Sequence, residues 1–119
     1  KGSALYNLER YDEAMECYDK ALQLKPMSSM LNYILTNKGY IYLNYKDYDN
    51  ALNCYNEAER AYPSNITTWF GKGIALMAKD NYLGAIGCFN KVLSANPAYI
   101  DGWTNMGYCL KVVGRDKDS

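Results

Sequence analysis

The sequence predicts an all-α protein built from repeated helical hairpins, and three observations support this prediction. A thirteen-residue phrase occurs three times, as AMECYDKALQLKP (14–26), ALNCYNEAERAYP (51–63) and AIGCFNKVLSANP (85–97). Within each phrase apolar residues recur at intervals of four and three, which places them on one face of a helix. The prolines that close the phrases, Pro26, Pro63 and Pro97, recur at nearly even intervals, so the phrase belongs to a longer repeat.

Each repeat is predicted to contain two antiparallel helices. The recurring phrase forms the second helix, and its proline ends it. The segment before each phrase has the same helical spacing of apolar and small residues, seen in Leu35, Gly39 and Tyr42 and again in Trp69, Gly73 and Leu76. The polar stretches ERYDE, KDYDN and KDNYL separate the two helices as turns. We therefore expect about seven helices, arranged as three units and a final helix.

The unit boundaries are predicted at about 1–28, 29–65 and 66–99, with a partial unit at 100–119. The longer first interval carries three extra residues within MSSML, expected as one more turn at the start of the second unit's first helix. Ser28 or Ser29 would cap that helix. Because the chain begins and ends within a repeat, we expect it to be part of a longer protein.

The composition of the chain limits the classes of function that it can have. The 119 residues suffice for one domain of ordinary size. Thirteen basic and thirteen acidic residues cancel, so no net field attracts nucleic acid or an anionic membrane. No run of eighteen apolar residues predicts a membrane span. The sequence has no histidine, which argues against most enzymes and against a metal centre.

The pattern resembles the tetratricopeptide repeat, a helix-turn-helix unit of about 34 residues. Its marks are Trp, Leu, Gly and Tyr in the first helix and Ala, an aromatic residue, Ala and Pro in the second. The matching residues are Gly2, Leu5, Ala14, Tyr18, Ala21 and Pro26, then Gly39, Tyr42, Ala51, Tyr55, Ala58 and Pro63, then Trp69, Gly73, Leu76, Ala85, Phe89 and Pro97, and finally Trp103, Gly107 and Leu110. The resemblance covers essentially the whole chain.

The chain departs from the family in its turns. The usual glycine between the two helices is replaced by Glu9, Lys46 and Asp80. Glycine tolerates positive φ at least cost, so we expect these turns to be tight or strained. Pentatricopeptide repeats, which read RNA, have a similar length, but the alanine and proline phrase favours the protein-binding family.

The resemblance implies a right-handed superhelix, an α-solenoid whose concave groove is lined by the first helices and holds a partner peptide or helix. The implied groove residues are Tyr33, Asn37, Tyr40, Asn44, Phe70, Ile74, Met77, Thr104, Asn105 and Tyr108, together with Thr36, Leu43, Thr67, Gly71, Asp101, Lys111 and, in the first unit, Ser3, Tyr6 and Asn7. The sequence thus predicts a protein–protein interaction module, a scaffold or adaptor. Its aromatic, amide-rich lining favours an amphipathic helix or a largely apolar extended segment as the ligand.

One family function is not expected. Chaperone-binding members hold an EEVD-type tail with a clamp of two lysines, two asparagines and an arginine. Only Asn37 fits this clamp, and Thr67 and Gly71 stand where a lysine and the arginine would be.

Two alternatives remain open. Self-assembly is the first, because no second helix follows the last one, which leaves Trp103, Leu110 and Val113 partly bare and available for self-association. An enzyme segment is the remote second: its material would be the cysteines or carboxylates, but no histidine activates a thiol. GKG at 71–73 is a weak match to any phosphate-binding loop.

The four cysteines are interpreted as packing residues. Cys17, Cys54 and Cys88 occur once per unit on the buried side of the second helix, and Cys109 lies on a first helix. Stacked helices keep them too far apart for a disulfide or a zinc site. We expect four reduced, buried thiols, no metal and no cofactor, which suits a reducing compartment such as the cytoplasm.

Overall fold

A computed structural model describes the backbone of residues 2–118 and the side chains of residues 10–114. This part of the chain contains six helices and no strand. They are α1 (Gly2–Gln23), α2 (Ser28–Asn44), α3 (Tyr48–Ala61), α4 (Ile66–Ala78), α5 (Tyr82–Ala95) and α6 (Ile100–Asp118). Each helix packs on the next, and α2 also contacts α4. The predicted all-α helical repeat solenoid is confirmed.

Two helical hairpins, α2–α3 and α4–α5, form the centre of the solenoid. Their turns place Lys46 at φ 64° and Asp80 at φ 66°. This left-handed region is energetically unfavourable for any residue that has a β-carbon. The expected strain is therefore confirmed at these two turns. Each turn ends in a side chain that caps the next helix: Asp47 accepts from the Asn50 backbone N–H at 3.4 Å. Asn81 accepts from that of Gly84 at 3.1 Å.

The first unit differs from the prediction. Helix α1 runs without interruption from Gly2 to Gln23, so the turn expected at ERYDE is absent and the expectation of seven helices is wrong. The physical reason lies at the cap position: Arg10 stands where Asp47 and Asn81 cap the following helices in the other units, and both Glu9 and Arg10 are good helix formers.

Helix α2 carries the predicted extra turn. It begins four residues earlier, relative to its glycine, than α4 does. The predicted serine cap is wrong, however, because Met27 occupies the N-cap position without a side-chain hydrogen bond and Ser28 is already helical.

The seams between paired helices rest on glycine facing an aromatic ring. A β-carbon built on Gly39 would lie 2.8 Å from the Tyr55 ring, and one on Gly73 would lie 2.7 Å from the Phe89 ring. Tyr55 is 2% exposed and Phe89 is 0% exposed. Glycine is thus needed because the helix backbone lies directly on the ring, as the repeat pattern predicts.

A buried polar network joins α2, α3 and α4. The Asn32 amide nitrogen lies within hydrogen-bonding distance of three acceptors: the carbonyl oxygen of Ala58 at 2.8 Å, that of Tyr62 at 3.1 Å and the Thr68 hydroxyl at 3.1 Å. The Thr68 hydroxyl lies 2.6 Å from that of Thr36. Asn65 donates to the Asn32 side-chain oxygen at 2.6 Å. The network gives the carbonyls at the end of α3 a side-chain donor, in addition to the Tyr62 backbone N–H that donates to Ala58 at 3.0 Å.

The cysteines are all free, as expected, but they are not all buried. Cys54, Cys88 and Cys109 are buried, whereas Cys17 is exposed, so the prediction is wrong there. Its cause is the continuous α1, which leaves Cys17 without an antiparallel helix to cover it. Burial raises the pKa of the Cys54 thiol to about 11, although Lys38 partly offsets this.

Two further findings concern the described residues. No three cysteine, aspartate or glutamate side chains among them come together as metal ligands. None of the helices described combines the length and the apolar content that crossing a membrane requires.

Candidate binding groove

Three helices, α2, α4 and α6, carry the candidate groove residues, because each is the first helix of a predicted unit. Three of their tyrosines are exposed: Tyr33 is 58% exposed, Tyr40 55% and Tyr108 52%. Aromatic rings left this open on a folded surface are typical of binding sites, since their burial against a partner is favourable.

A cavity of about 410 Å³ lies where the ends of α2 and α4 meet α6. It brings together Leu43, Ile74, Met77 and Tyr108, four of the implied inward residues. The remaining lining includes Tyr48, Tyr82 and Asp80. Two turn tyrosines thus join the cavity although the sequence assigned them only to the turns.

Phe70 is partly buried and packs against the core. Its ring centroid is 5.8 Å from that of Phe89 and 5.1 Å from that of Tyr99, at angles typical of aromatic packing. Replacing Phe70 would therefore remove core contacts as well as any ligand contact.

Two of the implied inward positions are buried, which corrects the prediction. Thr36 is 4% exposed because its hydroxyl bonds to Thr68. Gly71 is buried because the Tyr55 hydroxyl end lies against it, leaving no room for a side chain. The family's inward register fails here because Tyr55 reaches across to the next first helix.

The polar candidate side chains differ in how many of their hydrogen-bonding groups are already used within their own helix. Asn44 donates to the Tyr40 carbonyl at 2.9 Å and Asn105 to that of Asp101 at 2.8 Å, which leaves their side-chain oxygens as acceptors. Thr104 donates to the Ile100 carbonyl at 3.1 Å. The half-buried Asn37 side chain makes no hydrogen bond within the described part of the chain, so its side-chain oxygen and nitrogen are both available to a ligand.

One carboxylate lies at the cavity. The Tyr82 hydroxyl donates to Asp80 at 3.1 Å, and this hydrogen bond raises the pKa of Tyr82 to about 12. The Tyr82 and Tyr108 ring centroids lie 6.2 Å apart, edge to face. The cavity therefore combines apolar side chains with one acidic rim position and a hydroxyl that stays neutral through the physiological range.

Tyr33 lies apart from this cavity. It lines a second cleft with Tyr18 and Ala21 at the other end of the solenoid. The predicted contributors Ser3, Tyr6 and Asn7 fall outside the side chains that the structure describes.

Comparison with known families agrees with this architecture. One tetratricopeptide repeat model matches residues 1–28 and a second matches residues 36–100, more than half of the chain. The chain belongs to the tetratricopeptide repeat family. No curated protein matches the sequence.

Solved structures of tetratricopeptide domains share the fold at low identity. The first tetratricopeptide domain of Spaghetti (RPAP3), bound to the HSP90 peptide SRMEEVD, has a TM-score of 0.83 at 22% identity and covers 96% of this chain and 90% of its own. The Sgt2 domain from Aspergillus fumigatus has a TM-score of 0.83 at 18% identity, with 99% and 78% covered. The C-terminal domain of a Plasmodium falciparum FK506-binding protein has a TM-score of 0.82 at 18% identity, with 99% and 87% covered.

Two parts of the site were not predicted from the tetratricopeptide pattern. The first is the contribution of Tyr48 and Tyr82, whose position directly after the strained turns was the available signal. The second is the polar network beneath the groove, for which the signal was a polar residue at a buried helical position: Asn32 is 1% exposed and Thr68 is 0% exposed.

Proposed function

We propose that this chain is a protein–protein interaction module that binds a partner peptide or helix along α2, α4 and α6. The observation that carries the proposal is the pair of exposed tyrosines Tyr40 on α2 and Tyr108 on α6, with a cavity beside Tyr108 that Leu43, Ile74 and Met77 help to line. Burial of these rings would supply the binding free energy, and Asn37 would fasten the ligand backbone.

The proposed ligand is an amphipathic helix or a largely apolar extended segment. The cavity accepts side chains of that kind because Leu43, Ile74 and Met77 are among its lining residues. Support for a protein ligand in general comes from the Spaghetti (RPAP3) domain, whose structure contains a bound peptide.

Affinity capture tests the proposal. The chain is immobilised, retained proteins are identified, and the capture is repeated with the double variant Tyr40→Ala, Tyr108→Ala. We expect the retained partner to be lost while the helical circular dichroism spectrum is unchanged. Tyr62→Ala is the matched control, because Tyr62 is 44% exposed but lies after α3, outside the candidate groove. A partner held equally by both variants would exclude the groove as its site.

The HSP90 peptide SRMEEVD tests specificity. We expect its dissociation constant to be above about 1 mM, because Thr67 and Gly71 replace the cationic side chains that would hold its carboxylates. Isothermal titration calorimetry measures this directly, and micromolar binding would contradict the proposed apolar ligand.

Self-association through α6 is a second candidate function. Ile100 is 76% exposed, Trp103 56% and Leu110 54%, so α6 leaves large apolar side chains open. A helix face with several large exposed apolar side chains is typical of an interaction surface. Sedimentation of a Trp103→Glu variant tests this candidate, since self-association through α6 would be lost.

A further inference from the structure

The second helices of the predicted units are unequally covered. Tyr55 is 2% exposed and Phe89 is 0% exposed, whereas Tyr18, at the equivalent position of α1, is only half-buried. Its neighbour Cys17 is exposed. Within the described part of the chain, no antiparallel helix covers the corresponding face of the first unit.

The uncovered face of α1 and the start of α2 form an apolar cleft of about 440 Å³, here called the α1 cleft. Its lining includes Cys17, Tyr18, Ala21, Leu24, Met30 and Tyr33. Leu24 is 83% exposed and Met30 is 50% exposed. Contiguous apolar side chains left this open mark an interaction surface.

The chain itself carries the complement to this cleft. Gly39 precedes Tyr55 by the same sequence separation as Gly73 precedes Phe89, and in both pairs a turn brings the glycine onto the ring. Gly2 precedes Tyr18 by that separation as well. The family model that matches residues 1–28 includes both positions of this third pair.

The continuous helix keeps the third pair apart. At 1.5 Å per residue, the two α-carbons are about 24 Å apart along the α1 axis. The N-terminal half of α1 therefore cannot cover the α1 cleft of its own chain, although the equivalent segments cover their own second helices in the other units.

We propose that the α1 cleft is occupied by the N-terminal half of α1 from a second copy of this chain. Two α1 helices pack antiparallel, so that Gly2 of each copy lies on Tyr18 of the other. The pairing of positions 2 and 18 is self-complementary, so a two-fold axis fills both clefts at once and closes the assembly as a dimer. This exchange goes beyond groove binding and uses a different face from α6.

Sedimentation equilibrium and light scattering test the exchange. We expect the wild-type chain to have twice the mass of one chain, and Tyr18→Glu to halve that mass because it places a charge in the contact. Trp103→Glu is the control, since it alters the exposed face of α6 and should leave the dimer intact. A monomeric wild-type chain would overturn the proposal, as would a Trp103→Glu variant that is monomeric.

A second variant keeps the test informative if Tyr18→Glu does not fold. Glu9→Gly supplies the turn residue that the first unit lacks, which lets the N-terminal half of α1 fold back on its own cleft. We expect a monomer in which Cys17 reacts slowly with a thiol reagent. A Glu9→Gly variant that stays dimeric, or a wild-type dimer in which Cys17 reacts as fast as in the unfolded chain, would refute the exchange.

Discussion

Asn32 connects three helices through one side chain. Its nitrogen is within hydrogen-bonding distance of carbonyls at the end of α3 and of Thr68 on α4, and its oxygen accepts from Asn65. Because the cluster is buried, each lost partner leaves a polar group without water to replace it. The network therefore fixes how the second and third units are placed relative to each other.

Thr68→Val tests the network. The substitution keeps the shape of the side chain but removes the hydroxyl that bonds to Thr36 and Asn32, so we expect the free energy of unfolding to fall by about 1–3 kcal/mol. Urea unfolding measures the change. Thr67→Val is the matched control on the same helix, because Thr67 is exposed and its effect should stay within about 0.5 kcal/mol. Equal effects of the two variants would contradict a special role for Thr68.

Residue patterns predicted the packing residues better than the polar ones. Gly39 and Gly73 were identifiable because they recur in register with the aromatic residues they face. Asn32 and Thr68 do not recur in that way, and their value depends on a contact between positions far apart in the chain. Only the assembled helices bring such partners together, which is why the network could not be predicted from repeat spacing.

At the scale of the helices, the turn residues decide where one helix ends and the next begins. Lys46 and Asp80 hold positive φ because the capped helices that follow them fix the turn. Glu9, at the equivalent position of the first unit, lies within the continuous helix α1. The residue type alone could not distinguish these outcomes, because the strained turns depend on the contacts of the helices on either side.

Lys46→Gly should stabilise the protein. Glycine relieves the left-handed conformation at φ 64°, and we expect a gain of about 1 kcal/mol in the free energy of unfolding, reduced by the greater freedom of the unfolded chain. Lys111→Gly, in the exposed part of α6, is the control and should lose about 1 kcal/mol instead. Thermal unfolding of both variants measures the opposite signs. A loss of stability in Lys46→Gly would show that the turn is not strained.

Contacts of α1 with the end of α2 predict a change at alkaline pH. The Tyr45 hydroxyl donates to Asp12 at 2.5 Å, and this hydrogen bond raises the pKa of Tyr45 to about 12. A pKa raised by folding gives stability that is complete below the ordinary value of about 10. That contribution is then lost as the pH rises through about 12.

Tyr45→Phe isolates this effect. We expect the variant to be less stable than the wild type at pH 8, with the difference shrinking between about pH 10 and pH 12 as the wild-type phenol ionises. Urea unfolding at a series of pH values measures it. A difference that stays constant over that range would mean that the Asp12 contact does not stabilise the folded state.

For the whole molecule, the repeat determined the fold prediction. The three phrases indicated the helical class and the pairing of α2 with α3 and α4 with α5. The groove was harder to predict because inward positions were transferred from the family one residue at a time. Large side chains such as Tyr55 and Phe70 extend between helices, so whether a neighbouring position is open depends on packing that spacing does not encode.

The charge of the whole molecule predicts a weak response to salt. Acidic and basic residues cancel, and among the lining residues of the cavity only Asp80 is charged. We expect the dissociation constant of a captured groove partner to change by less than about threefold between about 50 and 500 mM NaCl, because little charge pairing is available to be screened. Fluorescence anisotropy at several salt concentrations measures this. A tenfold weakening would indicate a ligand held by ion pairs.

The Asn32 network also bears on how the molecule unfolds. Repeat arrays lose structure unit by unit when the coupling between neighbours is weak. Here a shared buried cluster links α2, α3 and α4, so these helices should open in a single cooperative step. By contrast, α1 is linked to the rest of the solenoid by polar contacts at the surface. They include an ion pair between Asp19 and Lys38 of α2 and the hydrogen bond from Tyr45, directly after α2, to Asp12. In a single chain separated from its proposed dimer partner, amide hydrogen exchange should therefore be fast in α1. From α2 to α4 it should be slow and have one common rate.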